Sequence, residues 1–151
     1  MINLIVAIVF LLSYLHASLL TGLDVIQEDD FKLIHNKNIG LVINHTSLNR
    51  EGVHILDLLL SNEKVKVVSI FTPEHGLKGT FSAGEKVTYD YDQDLGVDIV
   101  SLYGNKRQPD LADLQNIDCL IFDIQDIGSR YYTYVSTLTY MLNASALYDI
   151  P

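Results

Sequence analysis

The sequence is short of the residues that several large functional classes depend on. It has one cysteine in 151 residues, so no internal disulfide can form. Cys119 sits inside the apolar run Cys119–Phe122, where a lone thiol reads as a buried filler rather than a reactive or metal-binding group. Basic residues are also scarce: ten Lys and Arg stand against nineteen Asp and Glu, for a formal charge of -9. Phosphate backbones are gripped by clustered cations, and Lys106 with Arg107 is the nearest approach to a cluster, so nucleic acid is excluded as a partner. The acidic balance predicts solubility and weak affinity for anionic surfaces.

Several motifs are missing as well. The turn after the first expected strand reads Asn44-His45-Thr46-Ser47-Leu48-Asn49, without the Gly-x-Gly-x-x-Gly of a dinucleotide site. No phosphate loop ending in Lys and Ser or Thr occurs, and no Gly-x-Ser-x-Gly elbow of a serine hydrolase. Asp90, Asp92 and Asp94 alternate like a calcium loop, but Leu95 stands where the turn needs Gly and Ser101 where it needs Glu, so a solvated loop is expected. His45, His75 and Asp123 lack the spacing of a metal set, and neither metal nor cofactor is expected. Asn44-His45-Thr46 and Asn143-Ala144-Ser145 match the glycosylation pattern by chance. There is no repeat and no low-complexity tract.

Half of the chain is apolar, enough for one domain with a core. Leu4–Leu12 is an unbroken apolar run followed by Ala17 and Ser18, which reads as an export signal over residues 1–17 and implies a periplasmic or extracellular protein. The run is short for a membrane span, and retention as an anchor is the alternative reading. Residues 18–37 form a lead-in, where Asp29, Asp30, Phe31 and Leu33 are expected to cap and start a short helix.

From residue 38 onward, apolar β-type runs alternate with helical patterns. Strands are expected over 38–44, 64–72, 97–102 and 118–123. Between them, Val53, Leu56, Leu59 and Leu60 share a helical face, and Pro109 opens a short helix with Leu111, Leu114 and Ile117 inward. A last helix carries the stripe Val135, Leu138, Leu142 and Ala146. Continuous apolar strands separated by helices specify a Rossmann-like α/β fold, a parallel sheet covered on both faces. A helix ending near Ala146 should feed a further strand, so the sequence reads as incomplete at its C-terminus.

In such sheets ligands bind beyond the carboxyl ends of the strands. Those ends carry Asn44 and His45, Glu74 and His75, Tyr103 and Gly104, and Asp123, Gln125 and Asp126, all expected on one rim. Glu74, between Pro73 and His75, is read either as a loop acid capping the glycine turn or as a catalytic carboxyl. Glycosidic cleavage needs one carboxyl protonated and another ionised, and Asp123 and Asp126 are the candidates to partner Glu74. Arg130, beside Tyr131 and Tyr132, is read either as a structural ion-pair residue or as a group that binds a carboxylate while tyrosines stack on a sugar.

The runs Asn38–Thr46, Phe71–Gly76 with Gly79 and Ala83-Gly84, Ser101–Gly104 and Phe122–Tyr134 together resemble the N-terminal part of the exo-acting β-N-acetylmuramidases, a glycoside hydrolase family. The resemblance implies a Rossmann-like domain without nucleotide, followed in that family by a second α/β domain, with the site in the cleft between them. It implies release of N-acetylmuramic acid from the non-reducing end of peptidoglycan fragments. Glu74 would be the catalytic acid, its pKa raised by burial, with His75 beside it. Asn44, His45, Tyr103, Gln125, Arg130 and Tyr131 are the candidates for holding the muramyl saccharide. A non-catalytic cell-wall sugar-binding module, or another hydrolase using water held near His45 and His75, are the competing readings.

Overall fold

The computed structural model describes residues 19–82, 84–85, 90–92 and 95–151. The expected export segment, Ala83 and Asp94 fall outside the described residues.

The first helix, α1 (Gly22–Glu28), begins earlier than expected. Thr21 Oγ1 accepts from the Asp24 N–H, and the Asp24 carboxylate accepts from the Thr21 N–H at 2.7 Å, a reciprocal cap that satisfies two backbone donors. Asp29, expected to open a helix, instead closes this one. Asp30 and Phe31 turn left-handed, the Phe31 N–H returns to the Ile26 carbonyl, and only a 3-10 turn, Lys32–Ile34, follows. Leu23, Phe31 and Ile34 are all buried, so the lead-in belongs to the core.

The expected strands are present as β1 (Asn38–Ile43), β2 (Lys66–Thr72), β4 (Val97–Ser101) and β5 (Cys119–Asp123). A short β3 (Asp90–Asp92), carrying the first two acids of the 90–94 run, pairs antiparallel to β4 at the edge. The sheet order is β3-β4-β2-β1-β5, with β4, β2, β1 and β5 mutually parallel. Register aligns Val100, Phe71, Val42 and Phe122 in one row across these four strands. All four carboxyl ends therefore emerge on the same edge, as the apolar runs predict.

Side-chain alternation splits the interior in two. Ile39, Leu41 and Ile43 of β1 face α1 and the second helix, α2 (Ile55–Leu60), through Leu23, Ile55 and Leu59. Val42, Phe71 and Val100 face the third helix, α3 (Tyr134–Tyr148), through Met141 and Ala144. Helices thus cover both faces. Gly40 lies where a Cβ would come within 2.8 Å of Ile117 Cδ1 and Leu120 Cδ2, so the bare strand position leaves room for those two side chains.

Three helical expectations fail in informative ways. Residues 109–117 form turns rather than a helix. The Asp110 carboxylate accepts from the N–H groups of Ala112 and Asp113, Asp113 accepts from the Asp110 N–H and from Lys106, and Asn116 is left-handed. The Asp110 and Asp113 bonds are those of a helix start, but Asn116 turns left-handed three residues on and no helix follows; Leu114 and Ile117 are still buried while Leu111 is exposed. In α2 the buried face is Ile55, Leu56 and Leu59, with Val53 and Leu60 outside it. In α3 the buried residues are Tyr134, Thr137, Met141 and Ala144, while Val135 and Leu142 of the expected stripe are exposed. Apolar residues surround α3, so periodicity alone selects no face. The small Ala144, fully buried, marks the side that packs against the sheet.

Candidate active site

The strand order reverses beside β1: the chain steps outward through β2 to β4, then returns to place β5 on the other flank of β1. A crevice at such a reversal is the usual ligand position in an open α/β sheet. Here it is laced by side chains. The Asn44 Oδ1 accepts from both the N–H and the hydroxyl of Thr46, at 2.9 and 2.7 Å. Thr46 Oγ1 in turn accepts from the Gln125 N–H at 3.1 Å. Ser47 Oγ accepts from the Asn44 N–H and donates to the Asp123 carbonyl. His54 Nδ1 caps α2 by accepting from the Leu56 N–H, which leaves the ring proton on Nε2 to be donated to the Asn44 carbonyl at 2.9 Å. Asn44, with no exposed surface, is thus a buried tie rather than an accessible sugar contact or a glycosylation site.

The accessible chemistry lies to one side, above β2 and β4. Glu74 follows β2 and is half-buried; its Oε1 accepts from the Gly84 N–H at 3.1 Å and its Oε2 from the Thr133 hydroxyl at 3.2 Å. The Tyr103 side chain, from the loop after β4, approaches the same carboxylate and favours its charged form. Burial pushes the Glu74 pKa up, but the donors Tyr103, Gly84 and Thr133 and the charge of His75 outweigh it, so the net displacement is downward. The expectation that burial raises it is therefore corrected: enough donors reach the carboxylate to favour its charged form. The same approach, with burial, raises the Tyr103 pKa.

His75 is left-handed, at φ 74°, and its Nδ1 contacts the Phe81 carbonyl at 2.7 Å, so it shapes the loop that returns to Gly84. His45 braces the same loop: an added Cβ on Gly79 would lie 2.3 Å from His45 Nδ1. Asp126 is exposed and accepts from the Gly128 N–H at 2.6 Å. Gln125, Arg130 and Tyr131 are exposed beyond the rim, Tyr131 at 95%. No ion pair involves Arg130 among the described residues.

Asp123 points elsewhere. Its parity on β5 matches Cys119 and Ile121, and it lines a groove of about 500 Å³ with Leu23, Ile34 and Ile55 on the α1 and α2 side. Burial raises its pKa, nearby His54 acts weakly in the opposite direction, and Oδ2 has no hydrogen-bond partner. A carboxyl with a raised folded pKa contributes stability below its ordinary value of 3.8, and that contribution is lost as pH rises through the folded value. Asp123→Asn should therefore raise Tm relative to wild type more at pH 7 than at pH 4, as thermal melts at the two pH values would show. A Tm difference independent of pH would contradict the assignment.

Thr133, Thr46, Ser47 and His54 join the site network without having been singled out in the sequence. Thr133 sits within the Arg130–Tyr134 run, but nothing local announces a contact to Glu74, 59 residues away.

The fold and the site define a Rossmann-like α/β domain that presents an ionised, donor-braced carboxylate at the carboxyl edge of its sheet. Residues 39–151 match the model of the family described as exo-beta-N-acetylmuramidase NamZ, N-terminal. The chain belongs to this family. It is 39% identical over 131 residues to the peptidoglycan beta-N-acetylmuramidase NamZ of Bacillus subtilis (strain 168), a match covering 87% of this chain and 32% of that protein. Crystal structures of two DUF1343 family proteins from Bacteroides fragilis NCTC 9343 are also similar. One has a TM-score of 0.77 at 35% identity, covering 87% of this chain and 32% of that one. The other has a TM-score of 0.70 at 35% identity, covering 89% and 33%. The chain spans about a third of the length of these relatives.

Proposed function

We propose that this chain is the Glu74-bearing part of a peptidoglycan glycosidase that releases N-acetylmuramic acid from the non-reducing end of cell-wall fragments. The observation that carries the reading is the half-buried Glu74 carboxylate, braced by Gly84 and Thr133 and faced by Tyr103, in a chain of this family. An envelope location accords with that substrate, and among the described residues no helix is long and apolar enough to cross a membrane.

Held ionised, Glu74 suits the accepting role of the carboxyl pair, as base toward water or as the anion beside an oxocarbenium-like transition state. Asp126, exposed in the loop after β5, is the candidate left for its partner, whereas Asp123 lines the groove on the α1 and α2 side. The direct test gives the full-length protein a muramyl glycoside and its glucosaminyl counterpart, each with a chromogenic leaving group. Release from the muramide is the expected result; saturable binding without release would favour a sugar-binding module.

Muramic acid differs from glucosamine by a lactyl carboxylate, and exposed Arg130 is a cation available for it. Arg130→Ala should lower kcat/KM about 10- to 100-fold on the muramide, the worth of a hydrogen bond to a charged group, with little change on the glucosaminide. Equal losses on both substrates would remove Arg130 from that role.

A further inference from the structure

We infer that Thr133 and Tyr103 are positioning residues that fix the orientation of the Glu74 carboxylate, with Thr133 surrendering its place as a helix cap to do so. Thr133 is the residue at the N-cap of α3, where a threonine hydroxyl ordinarily accepts from a backbone N–H of the first turn. In this protein no side-chain cap bond forms there, and the hydroxyl is directed onto Glu74 Oε2 at 3.2 Å. Forgoing a cap weakens the start of the helix. Local rules broken without local gain concentrate where a site needs the group for something else.

The arrangement constrains what Glu74 offers a substrate. An ionised carboxylate has about four acceptor positions. Gly84 N–H occupies one on Oε1, and Thr133 one on Oε2. Tyr103 faces the same carboxylate, and the two positions not taken by Gly84 and Thr133 are shared between it and an incoming group. The three groups come from separate parts of the chain: the loop closed by His75 and Gly79, the end of β4, and the start of α3. The uncapped N-terminus of α3 adds its positive end beside the same carboxylate. Tyr103 and Thr133 act through side chains, so either can be removed while the Gly84 N–H keeps the loop bonded to Glu74.

The test is a carboxyl-carbon NMR titration of Glu74 in the full-length protein carrying 13C-labelled glutamate. Wild-type Glu74 should titrate below the ordinary 4.5. Tyr103→Phe and Thr133→Val should each shift its midpoint upward, Thr133→Ser should restore it, and Tyr140→Phe, in α3 away from the site, should leave it in place. An unchanged Glu74 midpoint in both Tyr103→Phe and Thr133→Val, with the circular dichroism of the wild type retained, overturns the inference. A fall in Tm for Thr133→Val with no change in midpoint would likewise return Thr133 to an ordinary capping role. In the full-length protein, and resting on the proposed role of Glu74, Tyr103→Phe should shift the acid limb of the kcat/KM profile upward and lower its plateau about tenfold. A shifted titration with an unshifted rate profile would uphold the positioning and reject Glu74 as the reacting carboxylate.

Discussion

Replacing Glu74 by glutamine should lower kcat of the full-length protein on a muramyl glycoside by about 10³-fold, within the range for loss of a proton-transferring side chain. Glutamine keeps the length and one carbonyl oxygen, so the Gly84 N–H retains an acceptor, and the Thr133 and Tyr103 hydroxyls can rotate to face an amide. What disappears is the negative charge. The fold should survive, with a melting temperature near that of wild type, since the carboxylate lies outside both hydrophobic clusters. Glu74→Asp should also fail, because a side chain shorter by one methylene cannot reach Gly84 and Thr133 from the same backbone position. Steady-state kinetics on the two variants would decide the matter, and turnover within about threefold of wild type in Glu74→Gln would dismiss this carboxylate as a participant.

The second large effect is expected at a residue with no functional group. Gly79 has φ 66°, a conformation that costs an L-residue about 1–2 kcal/mol, and its Cα lies against the His45 ring. An alanine Cβ would stand 2.3 Å from Nδ1 and 2.6 Å from Cε1 of that ring. Either the ring or the loop has to move, and the loop carries the Gly84 N–H that holds Glu74. Gly79→Ala should therefore lower kcat/KM about 10²-fold, the scale of a displacement near 1 Å in a catalytic group. The double variant His45→Ala, Gly79→Ala removes the collision but not the backbone strain, so it should recover most of the lost activity. Additive losses in the double-mutant cycle would show that His45 and the loop are not coupled.

The parts of this molecule that were legible in the sequence are those set by short-range pattern. Val65–Phe71 and Cys119–Phe122 could bury themselves only as covered parallel strands, and the sheet follows with its carboxyl ends on one edge. Edge placement in turn brought Glu74 and Tyr103 into view together. Three kinds of information were not local. Whether Leu111 to Ile117 formed a helix was decided after the cap made by Asp110 and Asp113, where Asn116 turns left-handed. Which side of α3 faced inward depended on the shape of the sheet beneath Ala144. The direction of the Glu74 pKa depended on three donors brought from other parts of the chain, and residue type alone suggests only that a partly buried acid is reluctant to ionise.

The tie between the loops after β1 and β5 has a wider bearing. A doubly wound sheet that separates at its point of reversal offers an opening shaped for a flat cofactor and its phosphates. In this chain Thr46, Ser47 and Asn44 stitch that opening closed, and the segment that would need glycines for an approaching pyrophosphate carries short hydroxyl side chains bonded to its neighbour instead. The accessible carboxylate, Glu74, stands instead on the far side of β1 from that seam, beyond the end of β2.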